Sequence, residues 1–317
     1  MTKQKKLLCI GTALVDSIIK GFDKEPVSAS GFRAQSSSLN VGGEAVNEAA
    51  TAAKLGVETG ILCFLGKDTA GDMIKNSLES FGVDVSYVVR ESEHPTPVTT
   101  MFVNDDGTRK SITNQAHRYN FHPERYTDVF RDVDAIILGS LFRAPFDDPD
   151  IILSVLKRAK EEGVIVFADT KLPNFKKLSL EDIKDCLPLV DYITPNEDEA
   201  RYYTGKEDPQ EMAEIFLGYG VKNVIIKLGS RGCYFKNDKE SISLPACPID
   251  AVDATGAGDS FVAGFACERL RGASDEEALR FGNACGAITT TAVGATSALK
   301  DREQVEQFNA LCYNSSR

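Results

Sequence analysis

Short apolar runs alternate with helical patterns along most of the chain. Continuous apolar stretches at 7–11, 59–65, 135–138, 164–168, 192–194 and 224–227 predict strands. Between them, apolar positions recur at helical spacing over 44–55, 72–81, 150–161, 197–203 and 209–219. Strand–helix–strand units at this interval predict a parallel sheet covered by helices on both faces. Strands that are apolar throughout agree with it, because a parallel sheet is buried on both sides.

Two stretches break this rhythm. Residues 17–41 are rich in Ser and Gly with no good helix, and 85–113 read as several β-strands around a turn at Asn104-Asp105-Asp106-Gly107. A βα unit separates them in sequence. The economical expectation is that they meet as one small β-sheet beside the main one, placed to cover a site. The last third predicts three helices in series, 255–271, 274–293 and 302–311, with no strong strands among them. No internal repeat or low-complexity segment interrupts this order.

Composition narrows the class. A length of 317 residues with 42% hydrophobic content suits one large α/β domain with an appendage, or two domains. The 36 basic and 47 acidic residues leave a net charge of −11. No basic stripe stands out, which argues against nucleic-acid binding. An anionic substrate would need a positive field supplied by the site itself. The eight cysteines form no CxxC, so neither a zinc site built on such pairs nor a disulfide framework is expected. Buried, reduced thiols in a cytoplasmic protein are the expectation. The lysines before residue 7 and the apolar run after them imitate a signal peptide. Asp16 interrupts that run and no small-residue cleavage site follows, so a buried strand is expected instead. Nowhere do 18 apolar residues run together, so no membrane span is expected.

The chemistry concentrates in Asp253-Ala254-Thr255-Gly256-Ala257-Gly258-Asp259-Ser260-Phe261. A small-residue loop that opens a helix leaves unpaired N–H groups at a positive dipole end, which is an anion site. Asp259 falls in the first turn, where a carboxylate serves equally as a helix-favouring residue or as a catalyst. An anion hole beside a carboxylate is what phosphoryl transfer to a hydroxyl requires. The loop is not a phosphate-binding Walker loop, and it lacks the third glycine of a dinucleotide fingerprint.

This stretch resembles the second signature of the ribokinase-like (PfkB) carbohydrate kinases, D-T-x-G-A-G-D, departing only at Ala254. The first signature is recognisable at Asn40-Val41-Gly42-Gly43-Glu44-Ala45-Val46-Asn47-Glu48-Ala49. Gly66-Lys67-Asp68-Thr69-Ala70-Gly71 with Gly82-Val83-Asp84, then Asn196-Glu197-Asp198-Glu199, then Lys227-Leu228-Gly229-Ser230-Arg231-Gly232, match further segments in the family's order.

The resemblance implies the Rossmann-like α/β ribokinase fold, a mostly parallel central sheet flanked by helices with a small β-sheet lid. The main domain would comprise 1–16, 42–84 and 114–317, and the lid 17–41 and 85–113. It implies ATP-dependent phosphorylation of a sugar hydroxyl. Asp259 would be the catalytic base, and Gly256, Ala257 and Gly258 would supply the anion hole through their amides. Asp16, Gly42, Gly43 and Asn47 would bind the sugar. Asn196, Glu199, Lys227, Gly229, Gly232 and Asn283 would line ATP, with Glu199 acting on Mg²⁺ through water. Asp253, Thr255 and Gly294 would enclose a K⁺ ion. A homodimer through the lid is the family's default.

Several positions depart from the pattern. Leu14 stands where ribokinases carry Asn, which weakens ribose as the substrate. Asp169-Thr170-Lys171-Leu172-Pro173 departs from D-x-N-x-R. Lys171 reads either as a solvated loop lysine, the simpler expectation, or as a contact for a sugar phosphate or sugar acid. Arg33, Arg90, Arg109, Lys110 and Arg118 in or near the lid decide nothing. A nucleoside kinase of the same fold would want an aromatic clamp, with Phe22, Phe32, Tyr87, Phe102 and Tyr119 as candidates. A non-catalytic sugar-binding regulator would require loss of Asp259 or of the anion hole, and both are intact.

Overall fold

The computed structural model describes residues 5–22, 30–31, 33–104, 108–114 and 121–314. In chain order the strands are β1 (Lys6–Gly11), β2 (Leu14–Phe22), β3 (Ala34–Gly42), β4 (Glu58–Leu62), β5 (Phe64–Gly66), β6 (Val89–Glu91), β7 (Val98–Val103), β8 (Arg109–Thr113), β9 (Ala135–Leu141), β10 (Ile165–Thr170), β11 (Tyr192–Ile193), β12 (Asn223–Lys227), β13 (Cys233–Lys236) and β14 (Ser241–Leu244). The helices are α1 (Glu44–Lys54), α2 (Thr69–Ser80), α3 (Pro149–Glu161), α4 (Glu197–Thr204), α5 (Pro209–Gly218), α6 (Ala257–Arg271), α7 (Asp275–Thr289) and α8 (Arg302–Asn314).

The central sheet has the order β14-β13-β12-β11-β10-β9-β1-β4. Its strands from β12 through β4 pair in parallel, and β13 and β14 close one edge antiparallel. The strands expected from apolar runs fall in the parallel part, except that the run 59–65 is split: β4 ends at Leu62, and Phe64 and Leu65 leave the sheet in β5. Successive side chains alternate between two apolar layers, as strand geometry demands. Leu7 and Cys9 of β1 enter the layer shared with α1, α6 and α7. Leu8 and Ile10 enter the layer shared with α3 and α5.

Helix α6 is buried on nearly every side. Small residues permit the close crossing of α6 and α7. A Cβ on Gly264 would lie 2.6 Å from the Cys285 Sγ, and one on Gly282 2.9 Å from the Phe261 carbonyl. Helix α6 is thereby held fast beneath the sheet ends, so whatever its first turn carries is held fast as well.

A second sheet of order β3-β2-β7-β8 stands apart from the first. It differs from expectation at two places. It begins at Leu14, so Asp16 belongs to it rather than to the main layer, opposite Asn40 of β3. Residues 85–97 do not join it. Instead β6 pairs with β5 in a separate two-stranded ribbon, because the Val89 amide reaches the Cys63 carbonyl. Of the expected turn, Asp105, Asp106 and Gly107 lie outside the described residues.

The cysteine expectation is also corrected. Cys247 and Cys312 form a disulfide across 65 residues, and the other six are free and buried. The pair is brought together when α8 folds back over the segment after β14, which spacing along the chain does not reveal. Among the described residues, no helix is long and apolar enough to cross a membrane.

Candidate active site

A cavity of about 490 Å³ opens at the carboxyl ends of β10 and β12, between the start of α6 and the base of the second sheet. Parallel sheets place ligands at this end of their strands. The loop into α6 turns through Gly256, whose φ of 77° lies in the left-handed region. A Cβ there would press into Ala295. Glycine is therefore required on both counts. The Ala257 amide turns back to the Ala254 carbonyl at 3.2 Å, so it is engaged in the loop rather than aimed at the cavity. Gly256 and Gly258 line the cavity.

Asp259 is the third residue of α6 and is buried, 6% exposed. Its carboxylate accepts a hydrogen bond from the Asn47 Nδ2 at 2.7 Å. Burial raises its pKa above the ordinary carboxylate range, and the positive charge of Lys171 opposes that shift. The other amide atom of Asn47, Oδ1, is buried without a partner. Asn47 sits on α1, whose N-cap Gly43 has a φ of 103°. A Cβ on Gly43 would collide with the Thr12 carbonyl. Gly42 closes β3 against Asp16, where a Cβ would meet the Asp16 Oδ2 at 2.8 Å. Burial, and then the charge of Glu44, raise the Asp16 pKa.

Across the cavity, Lys227 closes β12. Its Nζ lies 2.6 Å from the Asp169 Oδ1, with both side chains nearly buried. The same oxygen accepts the Thr194 hydroxyl at 2.8 Å. A Cβ on Gly258 would lie 3.3 Å from the Lys227 Nζ, so the ammonium stands directly over the glycine loop. Asn196 and Glu199 form a capping box at the start of α4. The Glu199 carboxylate accepts from the Asn196 N–H at 2.9 Å, the Asn196 Nδ2 at 2.7 Å and the Thr170 hydroxyl at 2.8 Å. Burial and the neighbouring Asp169 nevertheless raise its pKa.

Five carboxylates (Asp16, Glu44, Asp169, Glu199 and Asp259), two side-chain amides and two ammonium groups thus border one cavity at the N-terminus of α6. The arrangement can hold a phosphate against backbone amides while a carboxylate takes a proton. The profile of the pfkB family carbohydrate kinases matches residues 4–302. This chain belongs to that family. It is a carbohydrate kinase, and it is similar to the ribokinase of Staphylococcus aureus (strain COL), 30% identical over 84% of this chain and 87% of the relative. It is also similar to the ATP-dependent ribose-1-phosphate kinase of Halopiger xanaduensis, 32% identical over 81% of this chain and 82% of the relative. Among solved structures, Arabidopsis thaliana ribokinase complexed with ribose and ATP superposes with a TM-score of 0.87 at 27% identity, over 96% of this chain and 99% of that one.

In this carbohydrate kinase, Asp16, Gly43, Asn47, Asn196, Glu199, Lys227, Gly229, Thr255, Gly256, Gly258 and Asp259 all border the cavity. Gly42, Gly232 and Asn283 do not. Gly232 lets β13 pass the Leu244 carbonyl, which a Cβ would strike. The Asn283 Nδ2 donates to the Tyr313 hydroxyl at 2.9 Å and to the Pro245 carbonyl at 3.4 Å. The Asp253 carboxylate accepts the Thr255 hydroxyl at 2.7 Å and the Gly294 amide at 3.0 Å, which joins the two expected cation-loop segments.

Three bordering residues lie outside the expected site set, although Glu44 falls within the first signature and one reading of Lys171 is a substrate contact. Glu44, Asp169 and Lys171 all border the cavity. Lys171 is not a solvated loop lysine: it lies 3.7 Å from Glu44 and is partly buried. Their signal was positional, since Asp169 to Lys171 end a parallel strand. Of the aromatic candidates, Tyr87 lies at the far sheet edge beside Lys6, and Phe102 does not border the cavity. Arg90 pairs with Asp72 at 2.7 Å. Phe32, Arg118 and Tyr119 lie outside the described residues, as does the side chain of Phe22.

Proposed function

We propose that this carbohydrate kinase transfers the γ-phosphoryl group of ATP to a hydroxyl of a neutral sugar, a pentose or hexose. The observation that carries the reading is Asp259, buried in the first turn of α6, with Asn47 on one side and the Gly256–Gly258 loop and Lys227 on the other. Asp259 accepts the proton of the attacking hydroxyl as its oxygen bonds to phosphorus. The bond from phosphorus to the β-γ bridging oxygen breaks, and ADP departs with that oxygen. The amides of Gly256 and Gly258, with the Lys227 ammonium, stabilise charge on the transferred group. Asp16 and the unpartnered Asn47 Oδ1 accept sugar hydroxyls. Asn196 and Gly229 border the nucleotide.

The donor set suits Mg²⁺ held through water. All the Glu199 hydrogen bonds come from protein groups, and among the described residues no three acidic, His or Cys side chains cluster as direct metal ligands. Glu199 and Asp169 would hold the hydrated ion, which neutralises phosphate charge when bound. A K⁺ ion between the loops of Asp253–Thr255 and Gly294 would rest mainly on carbonyl oxygens, because Asp253 already accepts protein donors.

No aromatic side chain borders the cavity among the described residues, which favours a sugar over a nucleoside. The second sheet acts as the lid, excluding water on closure. Leu39 and Ile112 lie in one lateral row of it, 60% and 66% exposed, on the face opposite Asp16. A second copy of the chain would cover that row, so Leu39→Glu should shift sedimentation towards monomer.

An ADP-release screen with Mg²⁺, with and without K⁺, tests the reading across sugars, sugar acids, sugar phosphates and nucleosides. Turnover with neutral sugars is the expected result. Turnover with nucleosides alone would replace it with a nucleoside kinase. ATP binding without turnover on any acceptor would point to a sugar-binding regulator.

A further inference from the structure

The acceptor end of the cavity carries two residues that the reaction proposed above does not use. Glu44 lies in the first turn of α1, directly after Gly43, and Lys171 lies just past the end of β10. Both border the cavity together with Leu14, Asp16, Asn47 and Asp259. Their charged ends face each other, with the Lys171 Nζ 3.7 Å from the Glu44 Oε1. Both side chains are partly buried, 35% exposed for Lys171 and 23% for Glu44. The spacing is close enough for an ion pair but too long for a hydrogen bond. Neither charged end has a hydrogen bond to another described residue.

Both roots are fixed. The Lys171 N–H donates to the Leu141 carbonyl at 3.2 Å, and the Lys171 carbonyl accepts the Tyr203 hydroxyl at 2.7 Å. Glu44 follows a glycine whose Cβ, if it had one, would collide with the Thr12 carbonyl. The Asn47 N–H then donates to the Gly43 carbonyl at 3.0 Å, closing the first turn. Two separate elements thus hold a gap between an ammonium and a carboxylate. An ammonium only donates and a carboxylate only accepts. A hydroxyl does both from one oxygen, so it can accept from Lys171 and donate to Glu44. A carboxylate or phosphate can accept from Lys171 but brings Glu44 no donor, and sets like charges side by side in a partly dehydrated place. Leu14, which also borders the cavity, neither donates nor accepts. We propose that Glu44, paired with Lys171, determines acceptor specificity: the pair takes one hydroxyl of a neutral sugar between its two ends and refuses an anionic group at that position. This role rests on the neutral-sugar acceptor proposed above. Specificity is a difference of affinities, and Glu44 supplies the repulsive part.

The test pairs ribose, glucose and fructose with anionic counterparts: ribonate, gluconate and fructose 6-phosphate. Turnover is read by ADP release with Mg²⁺, and binding by calorimetric titration, so that an acceptor whose reacting hydroxyl is blocked still reports its affinity. Wild type should prefer the neutral member of a pair. Glu44→Gln keeps the size of the side chain and removes its charge. It should move the neutral-to-anionic ratio at least about tenfold towards the anionic member, with the ATP KM unchanged. Lys171→Met should raise the KM for the neutral sugar about tenfold without improving the anionic one. Folding of both variants is checked by thermal melts. An unmoved ratio in Glu44→Gln, with the wild-type preference for neutral sugars intact, would overturn the proposal and leave Glu44 an acidic residue that only favours the start of α1. A gain for the anionic acceptors in Lys171→Met would overturn it as well. Wild-type turnover of the anionic acceptors alone is a different result, which would remove the neutral-sugar acceptor and this role with it.

Discussion

The two ends of the cavity are built differently. Around Lys227, Glu199 and Asp169, nearly every polar group already has a protein partner. Glu199 accepts three hydrogen bonds, and the Asp169 Oδ1 accepts both the Thr194 hydroxyl and the Lys227 ammonium. Around Asp16, Asn47 and Asp259 the groups are sparsely paired. Asp259 takes the Asn47 hydrogen bond, the Asn47 Oδ1 takes none, and Lys171 meets Glu44 at 3.7 Å. The first end is organised before any ligand arrives, which suits a phosphate whose charge must be met without rearrangement. The second end holds unmet hydrogen-bonding capacity, which suits a polyol that brings its own donors and acceptors.

This contrast separates chemistry from stability. The largest effect should come at the sparse end. Asp259→Asn is expected to lower kcat by about 10²–10⁴-fold while ATP binding persists, measured by initial rates and by nucleotide titration. The same variant has a stability signature. The folded pKa of Asp259 is raised, so the native state is penalised once pH exceeds the unfolded value. Wild type should therefore lose stability relative to Asp259→Asn as pH rises above about 4, the ordinary carboxylate value, read by thermal melts.

At the saturated end the loss should fall on the fold. Lys227→Met leaves the 2%-exposed Asp169 without its counter-charge, and should destabilise by about 3–5 kcal/mol. Adding Asp169→Asn to it should recover much of that loss, which denaturant titration would show. Equal stability of Lys227→Met and wild type would break the comparison.

Asn47→Ala returns to the sparse end with a smaller effect. It removes a hydrogen bond to a buried carboxylate, so kcat/KM for the acceptor should fall about 10–100-fold with little change in the ATP KM. Glu199→Gln is the mildest. It weakens the α4 capping box at a cost of about 1 kcal/mol and should raise the ATP KM more than the acceptor KM. A rise in the acceptor KM alone would reverse the assignment of the two ends.

Much of this architecture was legible in the order of residues. The parallel strands announced themselves as uninterrupted apolar runs, because both faces of such a strand are buried. The start of α6 was legible as well, since Gly256 and Gly258 carry conformational and steric constraints that only a few residues satisfy. Asn196 with Glu199 spelled a helix start in the same local way. Strands β5 and β6 misled because they are short. Their pairing is decided by a short parallel register between separate segments, closed by the Val89–Cys63 and Lys67–Glu91 backbone hydrogen bonds, not by any pattern within either.

The rest was decided in three dimensions. Lys171 reads most simply as a solvated loop lysine in the sequence, because charge is a property of the residue while its neighbours belong to the fold. Only the packing of α1 and α6 against the end of β10 gathers Glu44, Asp169, Glu199 and Asp259 around it. The Cys247–Cys312 pair and the diversion of Asn283 to Tyr313 likewise depend on where α8 folds back. The layered sheet, the glycine loop and the carboxylate that follows it can be read along the chain, since each rests on local backbone geometry or on burial. Which charges meet across the cavity was left to tertiary structure, because electrostatic interaction depends on distance through space and on dehydration, and neither is written along the chain.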